Sequence, residues 1–423
     1  MLPRPKLPRW AMYGIMILLT IGTIPVARAQ DSARARMDSI AEALRQAQAR
    51  LDALEQKIGD ATENGVHARS GTRMELTGRV VMQAFGNTRR VNNVDNPQFV
   101  RPDSAGASRG GSMSMRQSLL AFRVTSPNVA GAQFNGDLST DFYGGQFPSV
   151  GGRTFPVIRL RVAKAVLRWS RSELMVGQEV PLIAQLNPTS LAASGTPLFA
   201  TAGNLWLWLP QARLTLGGMR PGTAALQFAV LAPTSGDPVA SFDTDLDAAE
   251  RSQRPFSQVR VRYRWEMSEK PGEIGCGAHV GWVSGITVRS EAVACDLVAP
   301  FSIAELRAEA YSGQALKGLG GGGIGQSLTT TGTAVVDVGG WAQLNIAPSP
   351  IWGFGVGCGA DDPDDLDLAA SARLRNVSCA AHFITHPSGP LVLGLEMRRI
   401  VTSYSGGRRF ANDHLNLAFG FEF

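Results

Sequence analysis

The sequence has few charged side chains, few tyrosines and no long hydrophobic stretch beyond its amino terminus. Charged residues make up 18% of the 423 residues, and tyrosine occurs only five times. After residue 29, no apolar run approaches the roughly 20 residues that a membrane-spanning helix needs. This shortage excludes a membrane protein built from spanning helices.

The first 29 residues have the pattern of a secretory signal peptide. Three basic residues precede the apolar segment 11–24, and Ala-x-Ala stands at 27–29. We expect cleavage between Ala29 and Gln30. The alternative is a membrane anchor, for which the apolar core is too short.

Cleavage would change the charge of the chain. It removes four positive charges, so the mature net charge falls from +6 to +2 (37 minus 35). The basic balance therefore gives no argument for binding nucleic acid. An exported chain without spanning helices is periplasmic, secreted or an outer-membrane barrel.

Residues 30–58 carry a heptad pattern that is absent from the rest of the chain. Apolar residues recur at alternating steps of three and four, which predicts an α-helical coiled coil. The predicted seam is Met37, Ile40, Leu44, Ala47, Leu51, Leu54 and Ile58. One amphipathic helix lying on another surface is the alternative, and three heptads do not fix the number of chains. Residues 59–73 read as a linker.

From residue 74 onward the pattern has period two. In the last segment Leu415, Leu417, Phe419, Phe421 and Phe423 fall on one face of a strand, and polar or small residues fall on the other. An aromatic last residue on such a strand resembles the final strand of bacterial outer-membrane barrels.

Short connections alternate with long ones along residues 74–423, as they do in a transmembrane barrel. We therefore predict an all-β transmembrane barrel of about sixteen antiparallel strands, with short periplasmic turns and long outer loops. The even number would let the first and last strands pair, and sixteen strands leave an aqueous channel. The sixth strand is expected at 205–216.

The order of these parts resembles the DcaP-like trimeric outer-membrane porins. Local matches are Arg159-Leu-Arg161, Val176-Gly-Gln178, Pro210-Gln-Ala-Arg213, residues 304–313, Gly339-Gly-Trp-Ala342 and residues 394–423. The resemblance implies trimers in the outer membrane, a periplasmic amino-terminal coiled coil, and passive uptake of small hydrophilic solutes. It also implies a bias towards anions such as dicarboxylates. Scarce tyrosine and four cysteines depart from the pattern.

Inward-facing charges would decide selectivity in such a barrel. The predicted pore-lining residues share the parity of the polar residues in their strands, and they are mostly arginines. They are Arg123, Asp137, Asp141, Arg159, Arg161, Arg213, Arg260, Arg262, Arg264, Arg307, Asp337, Arg375 and Glu396. The trio at 260, 262 and 264 is the best candidate for a ladder of anion sites. Alternatively, these arginines pair with lumenal acids and brace the barrel, which predicts weak selectivity.

The loop at 182–204 is too apolar for a solvated outer loop. Its large side chains include Leu186, Leu191, Leu198 and Phe199. Either it folds inward and narrows the pore, or it latches onto a neighbouring protomer. The resemblance favours the inward arrangement, which would make it the constriction.

The four cysteines fall into two pairs. Cys276 and Cys295 are equidistant from one predicted turn, and Cys358 and Cys379 from another, so each pair could form a disulfide across adjacent strands. Four free, small apolar side chains are the alternative. The acidic run at 361–367 could hold a divalent ion, but the EF-hand spacing is absent, so a solvated acidic loop is the favoured interpretation. The glycine stretch at 318–325 reads as a flexible outer loop.

Signs of catalysis are weak. The sequence has no Cys-x-x-Cys, and its histidines form no recognisable triad order; they are His67, His279, His382, His386 and His414. We therefore predict no enzyme, no cofactor and no metal. The predicted partners are outer-membrane lipid, further copies of the chain and small solutes, but not nucleic acid. A barrel tethered by its coiled coil to a periplasmic partner or the cell wall is one alternative, and a hydrolase another.

Overall fold

The computed structural model describes residues 66–67, 71–102, 109–145, 156–237, 245–267, 270–284 and 287–423. The predicted signal peptide with its cleavage site and the predicted coiled-coil seam lie outside the described residues.

One antiparallel sheet contains all the strands of the described residues. The strands are β1 (Val66–His67), β2 (Arg73–Asn87), β3 (Gly110–Ser114), β4 (Leu119–Val129), β5 (Ala132–Asp141), β6 (Arg159–Arg168), β7 (Ser172–Glu179), β8 (Leu209–Gly217), β9 (Ala224–Leu231), β10 (Phe256–Met267), β11 (Lys270–Ser284), β12 (Val288–Pro300), β13 (Ala304–Gln314), β14 (Val336–Ile346), β15 (Trp352–Pro363), β16 (Arg373–Thr385), β17 (Leu391–Tyr404) and β18 (Arg408–Glu422). Each strand from β4 to β17 pairs with the next. β2 pairs with both β3 and β4, and the two-residue β1 pairs with β2.

The sheet closes on itself between β2 and β18. Phe421 is opposite Val80, and Gly78 and Phe423 exchange backbone hydrogen bonds of 2.9 and 3.0 Å. If β3 and β4 count as one interrupted strand and β1 is set aside, the described residues form a closed barrel of sixteen strands. The prediction of a sixteen-stranded antiparallel barrel is confirmed.

The two rims of the barrel differ. At one, here called the turn rim, short segments join the strands; those that the structure describes are 130–131, 169–171, 218–223, 301–303, 347–351 and 386–390. At the opposite loop rim the connections are mostly long, although 405–407 is a tight turn. The predicted sixth strand starts too early, because residues 205–208 belong to a loop and β8 begins at Leu209.

In the part of the chain that the structure describes, helical structure is limited to single turns at the loop rim. The described residues contain 3₁₀ turns at Glu250–Ser252, Leu316–Leu319 and Asp365–Asp367, and a four-residue turn at Gly322–Gly325. Within the described residues, no helix is both long and apolar enough to cross a membrane.

The outer face of the barrel is apolar, as period-two alternation requires. Leu417 and Phe419 are each 53% exposed, whereas the intervening Ala418 is buried. Both cysteine pairs form disulfides, Cys276 with Cys295 and Cys358 with Cys379. The exposed Cys276 and Cys358 lie on this outer face, so the disulfides stay outside the lumen.

Candidate functional site

The loop at 182–204 folds into the barrel, where side chains of the wall accept hydrogen bonds from its backbone. Leu182 N donates to Gln258 Oε1 at 2.7 Å. Leu186 N donates to Glu309 Oε1, and Thr189 N to Gln343 Oε1, each at 2.7 Å. Because these acceptors stand on β10, β13 and β14, the loop runs along the inner wall instead of projecting from the rim.

Apolar packing holds the same loop in place. Leu191 packs on Val81, Val392 and Ala418. Leu198 and Phe199, both nearly fully buried, pack against Trp341 and Ala380 in a second cluster, against which the partly buried Leu186 also packs. Each such side chain contributes about 1.5–3 kcal/mol when fully buried. The four predicted constriction residues therefore anchor the loop to the wall.

A second inward segment comes from the connection between β2 and β3. Asp95 is fully buried, and Arg116 Nη1 lies 3.3 Å from its Oδ2. The Tyr143 hydroxyl donates to Asp95 Oδ1 at 3.0 Å, and the Arg116 guanidinium stacks 3.9 Å from the Tyr143 ring centre. Burial, followed by the nearby Asp95 charge, raises the pKa of Tyr143, so its hydroxyl stays protonated and keeps donating.

The glycine stretch at 318–325 is a third inward segment. Leu316, Leu319 and Ile324 are fully buried. Ile324 N donates to Asp361 Oδ2 at 3.1 Å, which ties the stretch to β15. The expectation of a flexible outer loop was wrong here, because the apolar residues flanking and within the glycines are buried against the wall.

These segments cover one part of the inner wall and leave another part open. In β8, β9, β14 and β18, buried residues alternate with exposed ones. In β4, β5, β6 and β7 most residues on both faces stay at least partly exposed. We call β4–β7 the open wall and β8–β18 the covered wall. Water and solutes therefore have access to the inner face of the open wall.

A cavity of about 680 Å³ lies along the open wall towards the turn rim. Val180 and Gln185, from the inward loop and the residues leading into it, contribute to its lining. The remaining lining residues are Arg73, Glu75, Arg123, Thr125, Asn135, Asp137, Lys164, Val166, Arg168, Glu173, Met175, Glu179 and Arg213. Five of these side chains are basic and four are acidic.

Most of the cavity charges are paired. Arg123 Nε lies 2.9 Å from Asp137 Oδ1, and Lys164 Nζ lies 2.5 Å from Glu179 Oε2. The other two pairs are Arg73 with Glu75 and Arg168 with Glu173. Arg213 is different, since its Nη2 donates at 3.0 Å to the Val180 carbonyl and to Gln211 Oε1. Its charge has no carboxylate of its own among the described residues.

A second excess of positive charge lies above the cavity. Arg159 Nη2 is 2.7 Å and Arg161 Nε is 3.4 Å from the same carboxylate oxygen of Asp141. Both guanidinium groups stack on Trp208, at 5.2 and 4.7 Å from the ring centre. Arg159 also donates to the Gly195 carbonyl of the inward loop. Two guanidinium groups thus share one carboxylate at the place where the inward loop faces the open wall.

A β-bulge lets β6 present all of its basic residues to the lumen. The register between β5 and β6 shifts between Ser139 and Thr140, which leaves Arg161 outside the regular pairing. Arg159 precedes the shift, and Lys164 and Arg168 follow it with opposite parity. Because an extra residue switches the face of every later side chain, both sets point inward.

The three arginines of β10 that were predicted to form a ladder of anion sites instead form ion pairs that brace the wall. Arg260 is 1% exposed and bonds Asp296 at 2.9 and 2.5 Å, Glu273 at 2.8 Å and Gln227 at 2.8 Å. Arg262 is also buried and lies 3.6 Å from Glu273, and Arg264 lies 2.6 Å from it. A solute in the lumen therefore does not touch Arg260, so the bracing alternative describes this trio.

Two other predicted pore-lining residues, Glu396 and Asp337, are also buried away from the lumen, whereas Arg307 is not. Glu396 is buried, bonding Arg398 at 2.8 Å and Ser190 of the inward loop at 2.5 Å. Asp337 is buried and accepts from Gly323 N at 2.6 Å. Arg307 is partly exposed and pairs with Glu305.

Arg375 was assigned to the wrong face. On β16 the buried, inward residues are Asn376 and Ser378. Arg375 has the opposite parity and lies beside Asp362 on the outside of the loop rim, with an N–O distance of 3.8 Å.

The geometry of the barrel is shared with known outer-membrane proteins. The Acinetobacter baumannii channel DcaP matches with a TM-score of 0.63 at 15% identity, covering 85% of this chain and 99% of that chain. The chain has the fold of a DcaP-like outer-membrane porin. No protein-family model and no curated protein matches the sequence.

Two further outer-membrane proteins of known structure match with similar coverage. An anion-selective porin from Comamonas acidovorans has a TM-score of 0.53 at 11% identity, covering 83% of this chain and 100% of that one. The trimer form of OmpT from Vibrio cholerae has a TM-score of 0.52 at 4% identity, covering 83% and 99%. At such identities the likeness concerns the fold.

Several cavity residues of this porin fold escaped the sequence analysis. Glu173 and Glu179 lie six residues apart on β7 and therefore face the same side of the strand, which alternation alone could have predicted. The inward orientation of Lys164 and Arg168 could not be predicted because of the bulge at Arg161. Strict alternation would place both side chains on the outer face. Asp95 and Tyr143 lie in loops, where no periodicity applies.

Proposed function

We propose that the protein is an outer-membrane porin through which small hydrophilic solutes diffuse passively, with a preference for anions such as dicarboxylates. The observation that carries the preference is the surplus of guanidinium groups beside the open wall. Arg213 lacks a carboxylate of its own, and Arg159 and Arg161 share one. One porin with a similar fold is anion-selective, which supports the proposal.

The physical basis is electrostatic focusing inside a low-dielectric wall. A lumen with an excess of one charge raises the local concentration of ions of the opposite sign. Guanidinium groups bind carboxylates with two parallel hydrogen bonds, so the partly exposed Arg159 and Arg161 provide transient sites. The buried Arg213 contributes only its charge. Most other charges beside the cavity are neutralised by near neighbours, so we expect a moderate preference, not an absolute one.

We also propose that the mature chain assembles as a trimer whose residues 30–58 form a coiled coil in the periplasm. The heptad seam of the sequence supports this arrangement. A similar fold has been obtained in trimer form. Removing residues 30–58 should lower the fraction of trimer measured by native mass spectrometry in detergent, while the barrel itself still folds.

Conductance of the full-length mature protein in planar bilayers under a KCl gradient tests the porin proposal. We expect discrete channels and a reversal potential whose sign indicates chloride over potassium. A potential of the opposite sign would overturn the anion preference and leave the channel intact. If correctly folded protein gives no channels at all, a barrel that anchors a periplasmic tether becomes the better explanation.

A further inference from the structure

One of the two disulfides lies where the barrel faces lipid. Cys276 of β11 and Cys295 of β12 are directly opposite each other and form the bridge. Both side chains are exposed, so they point away from the lumen. Their neighbours on the flanking strands, Val261 and Ala310, are apolar. The next outward residues along the two strands are apolar as well; they are Ile274, Ala278, Val293 and Leu297.

Outward tryptophans place this bridge near the middle of the apolar band. Trp265 lies close to the turn rim. Trp282 lies close to the loop rim, with the Arg254 guanidinium 4.8 Å from its ring centre. Such aromatic residues mark the two membrane interfaces of a transmembrane barrel. Along β11, Cys276 is four residues from Gly272, which is opposite Trp265, and six residues from Trp282. At about 3.4 Å per residue, the bridge is therefore about 14 and 20 Å along the strand from the two interfaces.

Thiol–disulfide exchange needs a charged sulfur, which the middle of a membrane disfavours. The attacking group is a thiolate, and the bond that breaks releases another thiolate. A charged group at the centre of a bilayer is strongly unfavourable, and this applies equally to a charged, water-soluble thiol that would have to reach the bridge. Once lipid surrounds Cys276 and Cys295, their bridge can therefore neither form nor open by such exchange.

We propose that Cys276 and Cys295 are joined before the barrel enters the membrane, by a periplasmic dithiol oxidase that acts on the exported chain. One cysteine thiolate attacks the disulfide of the oxidase and forms a mixed disulfide, and the second cysteine thiolate then displaces the oxidase. Two electrons and two protons pass from the cysteines to the oxidase, which leaves as a dithiol. The register of the β11–β12 hairpin is thereby set before insertion. The inference is independent of the proposed function, because it rests on lipid contact and not on conduction.

The second bridge has a different neighbour and provides a comparison within the same wall. Cys379 is opposite Arg399 of β17, which forms an exposed ion pair with Asp413. A nearby guanidinium stabilises a thiolate, and charged side chains on the outer face mark the edge of the apolar band. We therefore expect the Cys358–Cys379 bridge to remain open to exchange after insertion.

Reduction by glutathione tests the proposal in outer membranes that contain the full-length mature protein. Cys358→Ser with Cys379→Ser leaves only the Cys276–Cys295 bridge, and the thiols freed over time are counted by gel shift with a polyethylene-glycol maleimide after denaturation. We expect reduction in the membrane to be at least about a hundredfold slower than for the same protein unfolded in urea. Cys276→Ser with Cys295→Ser is the matched variant, whose remaining bridge should be reduced faster in the membrane. Equal rates for Cys276–Cys295 in the membrane and in urea would overturn the proposal.

The reverse reaction tests the order of events. The protein with Cys358→Ser and Cys379→Ser is produced in cells treated with a permeant reductant, and barrels that are folded by gel mobility before heating are isolated in membranes. On addition of oxidised glutathione, we expect Cys276 and Cys295 to stay reduced in these barrels and to become oxidised when the same protein is unfolded in urea. Leu366→Cys in this background reports access of the reagent, because the side chain at that position is 93% exposed and its thiol should react at once. Complete oxidation of Cys276 and Cys295 in the inserted barrels would overturn the proposal.

Discussion

The open wall and the covered wall belong to one sheet in which inward and outward side chains alternate. Their inward charged side chains nevertheless differ in exposure to water. On the open wall, Arg123 is 61% exposed in its side chain and faces the cavity. On the covered wall, Arg260 is buried and bonds the carboxylates of Asp296 and Glu273 and the side-chain amide of Gln227. The comparison teaches that alternation predicts which way a side chain points, whereas the loops decide whether water reaches it.

Breaking the brace of the covered wall should have the largest effect. Arg260→Ala would leave Asp296 and Glu273 partly uncompensated, and removing one member of a buried charge pair typically costs about 3–5 kcal/mol. We expect a lower urea midpoint for unfolding, followed by tryptophan fluorescence, with little change in ion selectivity. Arg264→Ala is the control, because that side chain is 40% exposed and should cost far less. Similar losses for both variants would contradict the assignment of Arg260 as a brace.

Releasing the inward loop should remove the difference between the two walls. Phe199→Ala deletes a nearly buried ring that packs on Trp341, and we expect a loss of about 3 kcal/mol concentrated in the loop. Single channels should become noisier and more conductive, because the loop leaves the wall part of the time. Leu366→Ala, at a side chain 93% exposed in another connection, should leave the channel unchanged. Unaltered current noise in Phe199→Ala would mean that the hydrogen bonds alone hold the loop.

Removing the surplus positive charge beside the cavity should weaken the anion preference. Arg161→Gln combined with Arg213→Gln removes two positive charges near the cavity. A unit charge about 4 Å away in water is worth about 1 kcal/mol, so we expect the chloride-to-potassium permeability ratio to fall about fivefold. Arg399→Gln is the control, since Arg399 pairs with Asp413 and both side chains are exposed. An unchanged ratio in the double variant would place selectivity elsewhere.

The smallest effect on conduction is expected from the disulfides. Cys295→Ser opens the Cys276–Cys295 bridge on the outer face, away from the lumen. Single-channel conductance and reversal potential should equal those of the parent protein, although unfolding should become easier because the unfolded chain gains freedom. A changed conductance would show that the outer bridges control the shape of the lumen.

The barrel could be predicted from the sequence because its signal is local and repeated. Alternation in each strand, the spacing of turns and the terminal aromatic strand all follow from side chains that face lipid or lumen. The lumen could not be predicted as well, since three inward segments contact wall residues far away in sequence. Leu186 N and Glu309, for example, meet across 123 positions. The predicted orientation of Arg375 was wrong for a local reason, because the neighbouring Asn376, not Arg375, faces inward on β16.

The pairing of β2 with β18 has a consequence for how the protein is made. The hydrogen bonds between Gly78 and Phe423 join positions 345 residues apart (423 minus 78). Closing so long a loop costs about 5 kcal/mol of chain entropy, which only the completed ladder can offset. Until β18 pairs with β2, the sheet has two unpaired edges, and such edges invite aggregation. The pairing of these two strands therefore removes both exposed edges in a single step.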